Sequence, residues 1–293
     1  MRQKKKIKIY TEPDRIRKPK FTIPGGGAYT GLKKIIREAG ISTICVEARC
    51  PNIGECSARG SAAFLIMGNI CTRNCSYCAV PHGAPLPPDE SEPRRIAAAI
   101  AALKLSHAVI TSVTRDDLPG GGASFFASAI LETRKAAPKC AVEVLVPDFS
   151  LRMEKAIDEI AAARPDVLNH NIEAAAPVYG AVRPMGDYAF SLCLLKRAAG
   201  LGLVVKSGLM AGFGESMADI TQTLEELRDT GCSFVTIGQY LTSKRGGLPV
   251  KKYYHPDEFE AIKERALALG FTGAEAGVNV RSSYRAAELF RNT

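Results

Sequence analysis

The chain contains no tryptophan, and none of its basic stretches is interleaved with stacking aromatics, which argues against a nucleic-acid surface. No apolar run approaches the roughly 18 residues that a membrane span needs. The opening MRQKKKIKIY is basic but has neither an apolar core segment nor a small-residue cleavage site, so no export signal is expected. The first strand is not followed by a G-x-G-x-x-G dinucleotide fingerprint. PGGGAS (119–124) is glycine-rich, but it follows the second strand and reads equally as a plain turn or a ligand cradle. These absences point to a cytoplasmic protein, whose thiols stay reduced.

Cysteine, by contrast, is abundant. The 293 residues, 46% of them hydrophobic, can bury a sizeable core without disulfide staples, and nine cysteines is an odd number for pairing. Cys140, Cys193 and Cys232 are isolated in apolar or helical surroundings and are expected to be buried free thiols. The other six lie between Cys45 and Cys78. The net charge of +9 has a local source: nine Lys or Arg stand in the first 20 residues against Glu12 and Asp14. That segment reads as a solvated tail or as a basic arm that steers an acidic partner protein.

Residues 1–60 show one short helix, around TGLKKIIREAG, ended by Gly40. From residue 61 a β/α rhythm begins. Strands are expected at 62–68, 107–113, 141–147, 166–172, 202–210 and 234–240, with a possible seventh at 271–277. Helices are expected at 93–103, 151–163, 218–230 and 256–269. The fold class is therefore α/β, a partial (β/α)6 barrel of the TIM type with terminal extensions. The expected divisions are 1–60, 61–270 and 271–293. Chemistry in such barrels sits at the C-terminal ends of the strands. Polar residues expected at that mouth are Thr111, Arg115 and Asp116; Asn169, Asn171 and Glu173; Lys206 and Ser207; and Gln239 and Tyr240.

CTRNCSYC places Cys71, Cys75 and Cys78 just beyond the first strand, in C-x3-C-x2-C spacing. Three thiolates on a four-iron cluster leave one iron open for substrate or cofactor. A zinc site would need a fourth ligand, for which His82 is available. Tyr77 could pack beside a ligand at the open iron or simply fill the loop. Upstream, CVEARCPNIGEC supplies Cys45, Cys50 and Cys56, again three thiols, with Pro51 and Gly54 permitting a tight wrap.

The spacing of Cys71, Cys75 and Cys78 after the first strand of a β/α barrel is the signature of radical S-adenosylmethionine enzymes. With CVEARCPNIGEC ahead of it, the chain closely resembles the lipoyl synthase family. Similar segments run nearly to the end: RDDLPGGGA (115–123), NHNIE (169–173), KSGLM (206–210), GQYL (238–241) and RSSY (281–284).

The resemblance implies two 4Fe-4S clusters and S-adenosylmethionine as cofactors. Cys71, Cys75 and Cys78 would hold the cluster that cleaves S-adenosylmethionine to a 5′-deoxyadenosyl radical. Cys45, Cys50 and Cys56 would hold an auxiliary cluster whose fourth ligand is Ser283, or alternatively Ser282. Tyr77, Asn171, Glu173 and Lys206 are expected on the cofactor side. The implied reaction inserts two sulfur atoms at C6 and C8 of an octanoyl chain on a carrier protein, consuming two S-adenosylmethionine molecules. Implied partners are octanoylated lipoyl carrier domains (glycine cleavage H protein and 2-oxoacid dehydrogenase acyltransferase subunits), a ferredoxin or flavodoxin as low-potential electron donor, and a carrier that repairs the auxiliary cluster. Two stretches depart from the family's usual form: the insert after GQYL within 238–250, and residues 174–176, which are expected to reshape the cofactor pocket. Another radical S-adenosylmethionine enzyme that inserts sulfur (biotin-synthase-like or methylthiolating) and a zinc-binding interaction module stand as alternatives.

Overall fold

The computed structural model describes residues 27–47, 50, 52–242 and 247–291. The basic arm, Pro51 and the centre of the insert after GQYL lie outside the described residues.

The first strands and helices are short and local. α1 (Gly27–Ala39) ends where Gly40 takes a left-handed φ of +58°, as the sequence predicts. β1 (Ser42–Thr43), α2 (Ile44–Glu47) and α3 (Ile53–Ala58) follow. The barrel then opens with β2 (Ser61–Ile66), all six residues of which are buried. A parallel strand covered on both faces has no polar side to show, so its sequence is a continuous apolar run.

The remaining units follow in order. α4 (Glu92–Ala102) leads to β3 (His107–Ser112), and α5 (Ala123–Ala136) to β4 (Ala141–Leu145). α6 (Met153–Ala162) precedes β5 (Val167–Asn169), and α7 (Ala176–Val182) and α8 (Tyr188–Gly200) precede β6 (Val205–Ala211). α9 (Met217–Asp229), β7 (Phe234–Gln239), α10 (Pro256–Ala268), β8 (Gly273–Gly277) and α11 (Ala286–Arg291) complete the chain. One sheet runs β1 to β8 in sequence order, parallel throughout except where β1 pairs antiparallel with β2. The six expected β/α units are all present, and β8 continues the sheet as a seventh parallel strand.

The core lies between sheet and helices, where Phe64, Ile66, Ile100, Ile110, Phe126 and Ile157 are fully or almost fully buried. Each such side chain contributes about 1.5–3 kcal/mol when withdrawn from water. A second, smaller cluster sits on the other face of the sheet. There Ala63 of β2 and Val109 of β3 pack against Ala286 of α11, with Ile44 and Cys45 of α2 beside them. Small residues on the inner face thus admit segments from both ends of the chain into the barrel.

Two expectations shift. Lys206 and Ser207 stand near the start of β6, not its end, because Gly202 turns at φ +79° and the apolar Leu203–Val204 pair lies before the strand. Cys193 is exposed, unlike the buried Cys140 and Cys232, because it lies on the outer side of α8, whose buried face carries Ser191, Leu194, Leu195 and Ala198. PGGGAS folds as a turn with Gly120, Gly121 and Gly122 all at positive φ, and a β-carbon on Gly122 would collide with the Met67 side chain. No helix among the described residues is long and apolar enough to cross a membrane.

Candidate active site

The loop after β2 carries the first thiol set, and its backbone is fixed before any metal is considered. Cys71 N–H donates to the Pro81 carbonyl (2.8 Å), Gly83 N–H to the Cys71 carbonyl (2.9 Å), and Thr72 N–H to the Thr114 carbonyl (3.1 Å). Arg73, between the first two cysteines, is buried. Its guanidinium donates to Asp116 (2.8 and 2.9 Å), Asp148 (2.6 Å) and Ser150 (2.6 Å), fastening the loop to the ends of β3 and β4. Arg183, behind the same loop, donates to Asp148 (3.2 Å) and lies near Cys75, where its charge opposes the rise that burial imposes on that thiol.

Glu173 sits at φ +70°, with its N–H donating to the Gly208 carbonyl and its carbonyl accepting from Met210 N–H, both at 2.9 Å. This places its carboxylate beside Cys75 and Cys78, where it accepts hydrogen bonds from Tyr77 and Asn171. Burial holds the Glu173 carboxyl above its usual range. Tyr77 also packs against the Ala174, Phe213 and Tyr240 cluster, so one altered position of the 174–176 stretch supports the loop tyrosine.

The second thiol set is assembled from both ends of the chain. Cys45 lies in α2, Cys56 in α3, and Cys50 between them with its N–H on the Cys45 carbonyl (2.9 Å). Onto these docks the RSSY segment. Asn52 Nδ2 donates to the Asn279 carbonyl at 2.6 Å across 227 residues of chain. The Tyr284 hydroxyl donates to Glu55 (3.1 Å), Arg59 pairs with Glu288, and Arg281 faces Cys50, favouring its thiolate. Gly238 of GQYL allows this approach, since a β-carbon there would meet the Val280 carbonyl.

The donor sets fit iron–sulfur clusters. None of the six cysteines forms a disulfide. Burial followed by the neighbouring cysteines pushes Cys45 up to about 11 and Cys56 up to about 12, and burial chiefly pushes Cys78 up to about 11. Anionic sulfur is therefore costly at either set until cationic iron compensates it. Among the described residues, no three His, Cys, Asp or Glu side chains are close enough to share a single ion. His82 is exposed, and a short backbone bridge pairs it with Cys71, but it joins no three-ligand group with the cysteines among the described residues. A cluster, with an iron at each thiolate, takes more widely spaced sulfurs than one tetrahedral zinc.

Of the other mouth residues, some converge and some do not. Asn169, Asn171 and Glu173 gather at one part of the mouth, with Ser282 between the two asparagines. Thr111, Gln239 and Tyr240 spend their polar atoms on the backbone, at Leu145, at Ala211 and Lys252, and at Leu248. Arg115, buried, clamps the Met67 and Leu86 carbonyls and Asp117. Ser207 donates to the His170 carbonyl (2.8 Å). Lys206, expected at the cofactor, instead forms a buried pair with Glu143 (2.9 Å), which also contacts His107 (3.1 Å) and accepts from Asn169 (2.8 Å). Burial alone would raise the Glu143 carboxyl, but Lys206 and His107 bring it down to about 2. Sequence reasoning missed Arg73, Glu143, Asp148 and Arg183. Only Glu143 carried a signal, a charge inside the apolar strand AVEVL.

Comparison with known proteins agrees with this architecture. The profile described as the Radical SAM superfamily matches residues 65–227. Lipoyl synthase of Chromobacterium violaceum is 46% identical over 285 residues, covering 96% of this chain and 90% of its own. Lipoyl synthase of Nitrosococcus oceani is 46% identical over 285 residues, covering 96% of this chain and 88% of its own. Among solved structures, Streptococcus suis SuiB bound to its precursor peptide SuiA superposes with a TM-score of 0.58 at 10% identity, over 89% of this chain and 55% of that one. Methylornithine synthase (PylB) superposes with a TM-score of 0.54 at 11% identity, over 83% and 73%. These two speak to the fold alone. With the profile, the end-to-end relatives and the cysteine-bearing barrel in agreement, the chain belongs to the lipoyl synthase family of the radical S-adenosylmethionine superfamily.

Proposed function

We propose that the six clustered cysteines divide into two 4Fe-4S sites. Cys71, Cys75 and Cys78 form the one that takes S-adenosylmethionine, and Cys45, Cys50 and Cys56 with Ser283 form the auxiliary one. The activity is that of the family: radical insertion of two sulfur atoms at C6 and C8 of a protein-bound octanoyl group. Bound at their sites, the two clusters and S-adenosylmethionine supply a carbon-centred radical able to break an unactivated C–H bond, and the sulfur that replaces the hydrogen.

The chain's own residues hold and align. Arg73, neutralised by Asp116 and Asp148, keeps the first thiol loop seated on β3 and β4. Tyr77, Asn171 and Glu173 offer a hydroxyl, an amide and a carboxylate beside Cys75 and Cys78, suited to the polar groups of S-adenosylmethionine. Lys206 acts at one remove, by fixing Glu143 and through it Asn169. The choice of Ser283 over Ser282 is supported by Ser282 already being engaged, accepting from Asn169 (2.9 Å) and donating to Asn171 (2.8 Å). In this reading 61–270 is the catalytic barrel, while 1–60 and 271–293 build the auxiliary site and narrow water's access to the barrel. Octanoylated carrier domains of the glycine cleavage H protein or of 2-oxoacid dehydrogenases would present the substrate. A ferredoxin or flavodoxin would deliver electrons, and a separate carrier would rebuild the auxiliary cluster.

The observation that carries the two-site reading is the docking of the RSSY segment on the Cys45–Cys56 motif, with Asn52 bound to Asn279 and Arg281 facing Cys50. The test is anaerobic incubation of iron- and sulfide-loaded protein with an octanoyl-lysyl peptide, S-adenosylmethionine and a reductant. The expected product carries two added sulfurs, with two S-adenosylmethionine consumed per product. Cleavage of S-adenosylmethionine with the peptide left sulfur-free in repeated trials would overturn the auxiliary assignment.

A further inference from the structure

We infer that Ser282 is a positioning residue that couples seating of the C-terminal RSSY segment to the cofactor side of the first thiol site. The inference rests on Asn171 and Glu173 belonging to that side, as proposed above. Its basis is one hydrogen-bond chain whose direction is fixed at every link. Glu143, held anionic by the Lys206 ammonium, accepts one N–H of the Asn169 amide at 2.8 Å. The other Asn169 N–H goes to Ser282 Oγ at 2.9 Å. With both donors of that amide committed, the Ser282 proton is the one that points at Asn171 Oδ1, 2.8 Å away. An Asn171 oxygen turned toward Ser282 turns its N–H₂ toward Glu173, which also accepts from Tyr77 in the cysteine loop.

The chain cannot run in the opposite sense. Flipping the Asn169 amide would set its oxygen against the Glu143 carboxylate. In the present orientation that oxygen is fully buried with no hydrogen-bond partner among the described residues, so Glu143 and Ser282 alone select the amide's orientation. Ser282 reaches Asn169 and Asn171 across 113 and 111 residues of sequence. Next to it, the same segment presents Arg281 to Cys50 and, two residues further on, Tyr284 to Glu55. Docking of the segment over the auxiliary thiols and alignment of Asn171 and Glu173 beside Cys75 and Cys78 are therefore one event. The consequence for the reaction is that the cofactor binds best when the auxiliary site is assembled, which limits radical generation without a sulfur source.

The test measures S-adenosylmethionine affinity by equilibrium dialysis on cluster-loaded protein, with iron content and thermal midpoint recorded for each variant. Ser282→Ala is expected to bind about fivefold more weakly, the worth of one ordinary hydrogen bond, while keeping about eight irons per chain. Ser282→Thr, which retains the hydroxyl, is expected to recover affinity to within about twofold of the parent. In an Asn171→Ala background Ser282→Ala is expected to have no further effect on affinity. Parent-like affinity in Ser282→Ala with only a lowered thermal midpoint would overturn the coupling, since Ser282 would then serve packing alone. So would a drop of Ser282→Ala to about four irons while Ser283→Ala keeps about eight, which would make Ser282 the cluster ligand. A parent that takes up neither iron nor S-adenosylmethionine would instead overturn the underlying site assignment.

Discussion

Replacing Glu143 by glutamine keeps volume and shape but removes the carboxylate that pairs with Lys206 inside the barrel. The Lys206 side chain is 2% exposed and the Glu143 side chain 1%, so the stranded ammonium has no water to fall back on. Breaking one side of such a buried pair costs about 3–5 kcal/mol. The titration of Glu143 gives the same scale, since moving a carboxyl from 4.5 to about 2 is worth ~3 kcal/mol at about 1.4 kcal/mol per unit. With a urea slope of about 3 kcal/mol per molar for a chain of this size, the midpoint should fall by ~1–1.7 M. Lys206→Met added to Glu143→Gln restores neutrality, so the double variant should lose clearly less than the two single losses added together. A pH series sharpens the test. The folded value of Glu143 lies below the unfolded one, so its contribution is complete above about 4.5 and drains away as pH falls toward 2. Glu143→Gln should lack that limb of acid unfolding. A midpoint within about 0.3 M of the parent, or strictly additive losses in the double variant, would refute the argument.

Three further outcomes are expected. Cys71→Ala, Cys75→Ala or Cys78→Ala should abolish reductive cleavage of S-adenosylmethionine, whereas Cys45→Ala, Cys50→Ala or Cys56→Ala should retain some cleavage, carry about four irons instead of eight and give no sulfur-containing product by mass. Gly238→Ala would drive a methyl into the Val280 carbonyl and push the RSSY segment off its seat. A stability loss of about 1–3 kcal/mol together with halved iron content is expected, and full iron content would count against that seat. His170 is kept uncharged down to about 4 by burial and by Arg183, while the unfolded imidazole takes its proton near 6.5, so stability should fall as pH drops through that interval. His170→Asn should flatten thermal midpoints measured between pH 7 and pH 5, and an unchanged slope would dismiss the assignment.

The barrel was legible because its strands are buried on both faces and its helices on one, so the two periods alternate openly along the chain. Boundaries were harder to read. Leu203 and Val204 extend the apolar run of β6 yet precede it, since Gly202 turns the chain and Leu203 N–H caps α8 at the Ala198 carbonyl. The thiol sets stood out because six cysteines in 34 positions have no packing explanation. Polar strand ends were a weaker guide. Thr111 and Asn169 look alike in sequence, but one hydroxyl serves the Leu145 carbonyl while the other's amide joins Glu143 to Ser282. Which of two polar side chains turns to backbone and which to the site is decided by neighbours on other strands, and those neighbours are not adjacent in sequence. The same applies to Arg73, whose partners Asp116 and Asp148 come from two later strand ends.

Asn52 and its partner Asn279 are separated by 227 residues, so the second thiol set and the segment that covers it leave the ribosome far apart in time. At 5–20 residues per second the interval is about 10–45 s. For that period Cys45, Cys50 and Cys56 are on a nascent chain without their cover, while Cys71, Cys75 and Cys78 already have the residues of β2 beside them. Under the two-site proposal, metal loading is thereby ordered by translation. The barrel loop can be filled while synthesis continues, and the end-built site only after the last strand and the RSSY segment have arrived. A ribosome stalled or a chain cut between α10 and the RSSY segment would yield a protein with a nearly whole barrel and three unguarded thiols, open to oxidation or to the wrong metal.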